Sequence, residues 1–153
     1  MMEKRLAETK EEKELLDLCL DFNDDLSAFL KLMVEGNITN LNFYSASDEF
    51  FKIGGDNVLH LAICNDCFKI IDFLISTRDE TGLDINAMNH VEVTPLGYSV
   101  QDDTCLEVTK RLLEIVDRKS IRNAEELIGK FSEYDENLET RKYLKKFLKG
   151  KNE

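Results

Sequence analysis

The chain has 153 residues, with 31 acidic against 20 basic side chains and a formal net charge of −11. This length suits one domain, and an apolar share of 42% is typical of a folded chain. The negative charge repels a phosphate backbone, which argues against nucleic-acid binding. No apolar run is long enough for an integral membrane segment, and residues 1–14 form a charged helical pattern unlike a secretion signal. We therefore expect a cytoplasmic chain, or a nuclear one.

Two amphipathic helices are predicted first, within residues 12–42. Apolar residues cluster in 15–20 and recur at three- and four-residue spacing in 26–34. The second pattern ends at Gly36, a residue typical of helix ends. We interpret residues 12–42 as a helical unit that caps one end of the fold.

A second helix pair is predicted within residues 55–87. Asn57 is a good N-cap for its first helix. In its second helix, Ile70, Ile71 and Leu74 fall at helical spacing and form one apolar stripe. A pair this short cannot cover its own apolar face, so it needs a neighbour on each side.

The same pattern returns in residues 88–118. Thr94 followed by Pro95 predicts a helix start, because the threonine oxygen accepts from a free N–H and proline needs no partner in the first turn. This second copy continues through residues 107–114. A pattern that recurs at this distance indicates a repeat protein.

These motifs resemble the ankyrin repeat. The runs that match its pattern are Leu59-His60-Leu61-Ala62, Asp84-Ile85-Asn86-Ala87 and Thr94-Pro95-Leu96. Three positions depart from it, because Gly97 and Tyr98 stand where the family has histidine and leucine, and Glu92 stands where it has a loop glycine. The resemblance implies an all-α solenoid of about four stacked helix-turn-helix units with degenerate terminal caps. It also implies that His60 has a structural role, since the family's histidine bonds neighbouring loops.

A last helix pair, without the family's motif, is predicted in residues 122–149. We interpret it as the C-terminal cap. Residues 141–153 carry six basic side chains against one acidic side chain, whereas residues 1–140 have a net charge of −16. The acidic body favours a partner with a basic surface.

The ankyrin resemblance implies a protein that binds another protein, as an adaptor or as an inhibitor. We expect no catalytic site, no cofactor and no metal, and a monomer when unbound. The predicted contact residues lie in the loop before the second repeat and at the ends of the first helices; they are Met88, His90, Val91, Val93, Asp56, Cys64, Asn65, Gln101 and Asp102. The alternative for the loop is that Glu92 reshapes it and turns both valines inward.

Two other functions stay open at this point. Cys64 and Cys67 have the spacing of a redox pair, although they lie at the end of a helix rather than after a strand. The basic, amphipathic helix in residues 138–148 suits a peripheral membrane protein as well as a cap.

Overall fold

The computed structural model describes residues 4–47, 54–130 and 138–151, and this part of the chain is mostly helical, as expected. Two short strands, β1 (Arg5–Leu6) and β2 (Phe43–Tyr44), pair in parallel. The helices are α1 (Lys10–Leu18), α2 (Leu26–Glu35), α3 (Val58–Cys64), α4 (Phe68–Ser76), α5 (Arg78–Thr81), α6 (Pro95–Ser99), α7 (Leu106–Ile115), α8 (Arg118–Lys130) and α9 (Glu139–Lys151).

The helix starts follow local sequence. The Thr94 hydroxyl accepts from the Gly97 N–H at 3.1 Å, and Pro95 occupies the first turn of α6. Asn57 accepts from the His60 N–H at 3.0 Å at the start of α3. Both caps confirm the sequence prediction.

The helices are stacked in pairs. Helices α1, α3, α6 and α8 contact one another in that order, while α2 packs on α4 and α7 packs on α9. One apolar core runs through the stack, and its large, fully buried side chains include Leu16, Phe29, Leu59, Leu74 and Leu112. The two helices of a pair therefore pack on each other and on the neighbouring pairs.

Aspartates in successive interhelical turns join each pair to the next. Asp24 accepts from the Lys69 and Ile70 N–H groups at the start of α4, at 2.7 and 3.1 Å. Asp103 accepts in the same way from the Glu139 N–H at the start of α9, at 2.6 Å. Between them, Asp66 accepts the Thr104 hydroxyl proton at 2.9 Å, just before α7. A carboxylate at a helix start satisfies free N–H groups and matches the helix dipole.

Two sequence predictions need correction at the ends of the chain. Residues 4–9 are not helical, because Arg5 and Leu6 pair with Phe43 and Tyr44 and α1 begins only at Lys10. The last helix pair begins at Arg118 rather than at 122, because Asp117 accepts from the Ser120 N–H at 3.0 Å and caps α8.

Candidate functional site

The loop of residues 88–93 is the predicted binding loop, and its side chains divide into exposed and buried ones. His90, Val91 and Glu92 are exposed, with 54% of Val91 accessible to solvent. Val93 is 7% exposed, which contradicts the prediction that it projects from the loop. The loop therefore presents one aliphatic side chain rather than two.

The burial of Val93 has a local cause. It directly precedes the cap residue Thr94, and its side chain packs against the first turn of α6, where a Cβ at Gly97 would lie 3.0 Å from its Cγ1. An apolar residue just before a helix cap commonly packs on the first turns of the helix. Glu92 has a φ of 61°, so it adopts the left-handed conformation that a glycine favours, and the loop keeps its turn.

Asn89 is the centre of the loop. Its Oδ1 accepts from the N–H groups of Val91 and Val93 at 3.0 and 2.9 Å. Its Nδ2 donates to Asp56 Oδ1 at 3.0 Å and to the Tyr98 hydroxyl at 2.7 Å. One buried amide thus fixes the loop backbone and ties it to two neighbouring elements.

Asp56, a predicted contact residue, lies instead beneath the loop and is 6% exposed. The Tyr98 hydroxyl donates to its Oδ1 at 3.2 Å, beside the bond from Asn89. Burial raises the pKa of Asp56, and the two hydrogen bonds oppose that shift. Asp56 therefore anchors the loop from below, and the prediction that it lies on the contact surface is wrong.

His60 supports the loop from below, as the sequence predicted. The ring is fully buried, with Nε2 at 2.8 Å from the Val93 carbonyl oxygen and Nδ1 accepting from the Asn57 N–H at 3.1 Å. A carbonyl can only accept, so Nε2 carries the proton and the ring is neutral. Burial lowers the pKa of His60 to about 4.

Gly55 allows the preceding segment to lie against the loop. The His90 N–H donates to the Gly54 carbonyl at 2.9 Å. Gly55 has a φ of 88°, and a Cβ there would lie 2.7 Å from the His90 nitrogen. This close backbone approach needs glycine and fixes the other side of the loop.

Gly97 opens space for a side chain from α8. A Cβ at Gly97 would lie 2.8 Å from Asn123 Oδ1 and 2.7 Å from Leu127 Cδ1. Asn123 Oδ1 accepts from the Thr94 N–H at 3.1 Å, and its Nδ2 donates to the Glu92 carbonyl at 2.6 Å. The space left by the absent side chain at Gly97 is thus occupied by the Asn123 amide from the next helix pair.

The other predicted contact residues lie at the far ends of α3 and α6. Cys64, Gln101 and Asp102 are exposed, and Asn65 is half-buried. Gln101 donates to the Gly97 carbonyl at 3.0 Å, Asn65 donates to the Leu61 carbonyl at 2.9 Å, and Asp102 caps the short turn before α7. These residues stabilise helix ends. Met88, half-buried, lines a cleft beside the loop together with Val91 and Leu127.

The two thiols do not have the environment of a redox pair. Cys64 is exposed, whereas Cys67 is buried and donates to the Asp21 carbonyl at 3.3 Å. Desolvation, followed by neighbouring acidic groups, raises the pKa of Cys64 to about 12 and that of Cys67 to about 11. A nucleophilic thiol needs a lowered pKa, so the structure gives no support to the redox interpretation.

Sequence reasoning missed Asn89, Tyr98 and Asn123. Asn89 and Tyr98 lay inside the predicted elements, but their long-range partners are visible only in the fold. Asn123 belongs to a helix without a motif, and the only signal for it was the missing histidine at Gly97.

No protein-family model matches this chain, and no curated protein matches it with significance. Among the described residues, no group of three or more His, Cys, Asp or Glu side chains is arranged to hold a metal ion. Within the same ranges, no helix is long and apolar enough to cross a membrane.

Proposed function

We propose that this chain is an ankyrin-type repeat protein that binds another protein through the loop of residues 88–93. The observation that supports the proposal is the combination of an exposed aliphatic side chain with a fixed backbone. Val91 projects into solvent, while the N–H groups of Val91 and Val93 are both held by Asn89. A loop that is already ordered loses little conformational entropy on binding.

The partner that suits this loop has an apolar pocket for Val91 and a positively charged surface around it. Residues 1–117 carry 24 acidic against ten basic side chains, for a net charge of −14. Such a field accelerates association with a basic protein and disfavours an acidic one. An adaptor and an inhibitor would use the same surface, and they differ in whether the partner's activity is blocked.

The proposal is tested by affinity capture followed by measured binding. Proteins retained from lysate by the wild-type chain are identified, and each is then titrated against purified wild type, Val91→Ser and Val34→Ser. Val34 is a suitable control because it is also an exposed valine, with 81% of its surface accessible, and it lies on α2, far from the loop in sequence.

We expect Val91→Ser to weaken binding by about 5- to 150-fold, as for an interface residue worth about 1–3 kcal/mol, with an unchanged melting temperature. Val34→Ser should bind like the wild type. Equal affinity of Val91→Ser and wild type for every captured protein would contradict the proposed site.

A further inference from the structure

The exposed face of α9 is a continuous row of lysines. Lys142, Lys145, Lys146 and Lys149 are all exposed, and their spacing of three and four residues places them on one side of the helix. Leu144 on the opposite side is fully buried in the core. Of residues 141–150, only Gly150 is exposed besides these lysines.

The charge of the chain is strongly divided along its length. Residues 118–151, which include the last two helices, carry ten basic against six acidic side chains, for a net charge of +4. The preceding residues have a net charge of −14. Charges on successive helix pairs are separated by about one helix diameter, roughly 10 Å, which is close to the screening length in physiological salt. The distant acidic units therefore do not cancel the positive field of α9.

The composition of this face suits a lipid surface better than a protein. Lysine is depleted from protein interfaces, where aromatic residues and arginine supply most of the binding energy. At a membrane, in contrast, lysines reach the anionic headgroups while aromatic side chains lie at the headgroup level. Tyr143 and Phe147, both half-buried, flank the lysine row and line a shallow groove of about 420 Å³ with Lys146 and Gly150.

We propose that the lysine face of α9 attaches the chain peripherally to an anionic lipid surface. The attachment is electrostatic, since the apolar side of α9 is packed in the core. It does not depend on the function proposed for the loop of residues 88–93, because the two surfaces share no residue. It would leave that loop available to a protein partner.

The test is co-sedimentation of the full chain with vesicles of phosphatidylcholine alone or with about one third phosphatidylserine. We expect binding to the phosphatidylserine vesicles at about 50 mM salt, release at about 500 mM salt, and no binding to phosphatidylcholine vesicles. Each lysine near such a surface contributes about fivefold in partitioning, so the triple variant Lys145→Gln, Lys146→Gln, Lys149→Gln should bind about 100-fold more weakly.

The matched control is the triple variant Lys10→Gln, Lys13→Gln, Lys31→Gln. These lysines are also exposed and lie on α1 and α2, and their replacement changes the net charge by the same amount. The control should bind the vesicles like the wild type, and both variants should keep the wild-type melting temperature. Two outcomes overturn the proposal: no binding of the wild type to phosphatidylserine vesicles at low salt, or the same loss in both triple variants. Binding of a polyglutamate peptide without any vesicle binding would assign the face to an acidic protein instead.

Discussion

The second and third helix pairs use different side chains to bond the buried backbone at the start of their first helices. In the second pair, His60 Nδ1 accepts from the N–H of the cap residue Asn57, and its Nε2 bonds the Val93 carbonyl in the loop that follows. In the third pair, Gly97 occupies the position that matches His60, and it has no side chain that could form these bonds. There, the Oδ1 of Asn123 from α8 accepts from the N–H of the cap residue Thr94, as His60 Nδ1 does from the N–H of Asn57, and its Nδ2 donates to the Glu92 carbonyl. His60 and Asn123 therefore both bond the loop of residues 88–93, one from each side.

This difference shows that a missing motif residue does not imply a missing interaction. The buried N–H and C=O groups of the backbone need hydrogen-bond partners, because unpaired buried polar groups cost free energy. Either an imidazole or an amide can do this if the neighbouring position is small enough to admit it. Each of the two solutions can be disrupted separately.

Replacing the motif histidine should have the largest effect. His60→Ala leaves the Asn57 N–H without its partner, removes one of the two hydrogen bonds to the Val93 carbonyl, which still accepts from the Asn89 N–H, and creates a cavity at a fully buried site. We expect a loss of about 4 kcal/mol in the free energy of unfolding, measured by urea denaturation. A loss below about 1 kcal/mol would show that the imidazole does not support the loop.

The neutral state of His60 should appear as a pH dependence of stability. Its pKa is about 4 in the folded chain against 6.5 when unfolded, so the unfolded state binds the proton more tightly. Its stabilising contribution is therefore present above about pH 6.5 and is lost as the pH falls towards 4, on the order of 3 kcal/mol in total.

The pH effect is isolated by comparing the wild type with His60→Gln at each pH, because other groups titrate too. The raised pKa of Asp56 acts in the opposite direction, and the Glu12 carboxyl, whose pKa the bond to Arg5 lowers to about 2, contributes in a more acidic window. Parallel stability curves for wild type and variant between pH 6.5 and 4 would contradict a neutral, buried His60.

Removing the Asn123 amide should have a smaller but substantial effect on the free energy of unfolding. Asn123→Ala leaves the buried Thr94 N–H unpaired and frees the Glu92 carbonyl, for an expected loss of about 2 kcal/mol. Asn65→Ala is a suitable control, since Asn65 is half-buried and its side chain donates to a carbonyl of the adjoining helix α3. Similar losses in the two variants, measured by denaturation, would mean that Asn123 is an ordinary helix residue.

Filling the space at Gly97 should have the smallest effect of the four. A Cβ there would lie 2.8 Å from Asn123 Oδ1 and 2.7 Å from Leu127 Cδ1, so Gly97→Ala should cost about 1–2 kcal/mol despite the better helix propensity of alanine. Gly129→Ala is the control, because a Cβ at that helical position meets nothing within 4 Å, and it should stabilise the chain. Stabilisation by both substitutions would show that Gly97 is not needed for the approach of α8.

The sequence predicted those features that depend on neighbouring residues. Asn57, the pair Thr94 and Pro95, and Gly36 all mark helix ends where the structure has them, because capping is a local interaction. The apolar stripe of α4 was predicted for the same reason, since its spacing is set by the helix itself.

Features that depend on distant residues were missed. The strand at Arg5 and Leu6 needs a partner almost forty residues later, and its two residues carry no periodicity of their own. The burial of Asp56 depends on Asn89 and Tyr98, which the fold brings to it from another helix pair. The start of α8 at Arg118 and the burial of Val93 are different, because Asp117 before α8 and an apolar residue before the cap Thr94 were local signals that could have predicted both.

The central claim is that the exposed loop of residues 88–93 is held rigid by buried residues. Hydrogen exchange of the loop amides tests this claim most directly. The Val91 and Val93 N–H groups both donate to Asn89 Oδ1. NMR-detected exchange should show the Val93 amide protected to nearly the same degree as the core amides of α3, and that protection should be lost in Asn89→Ala. Exchange of the Val93 amide at the rate of an unstructured peptide in the wild type would show that the loop is not fixed, and would contradict the account.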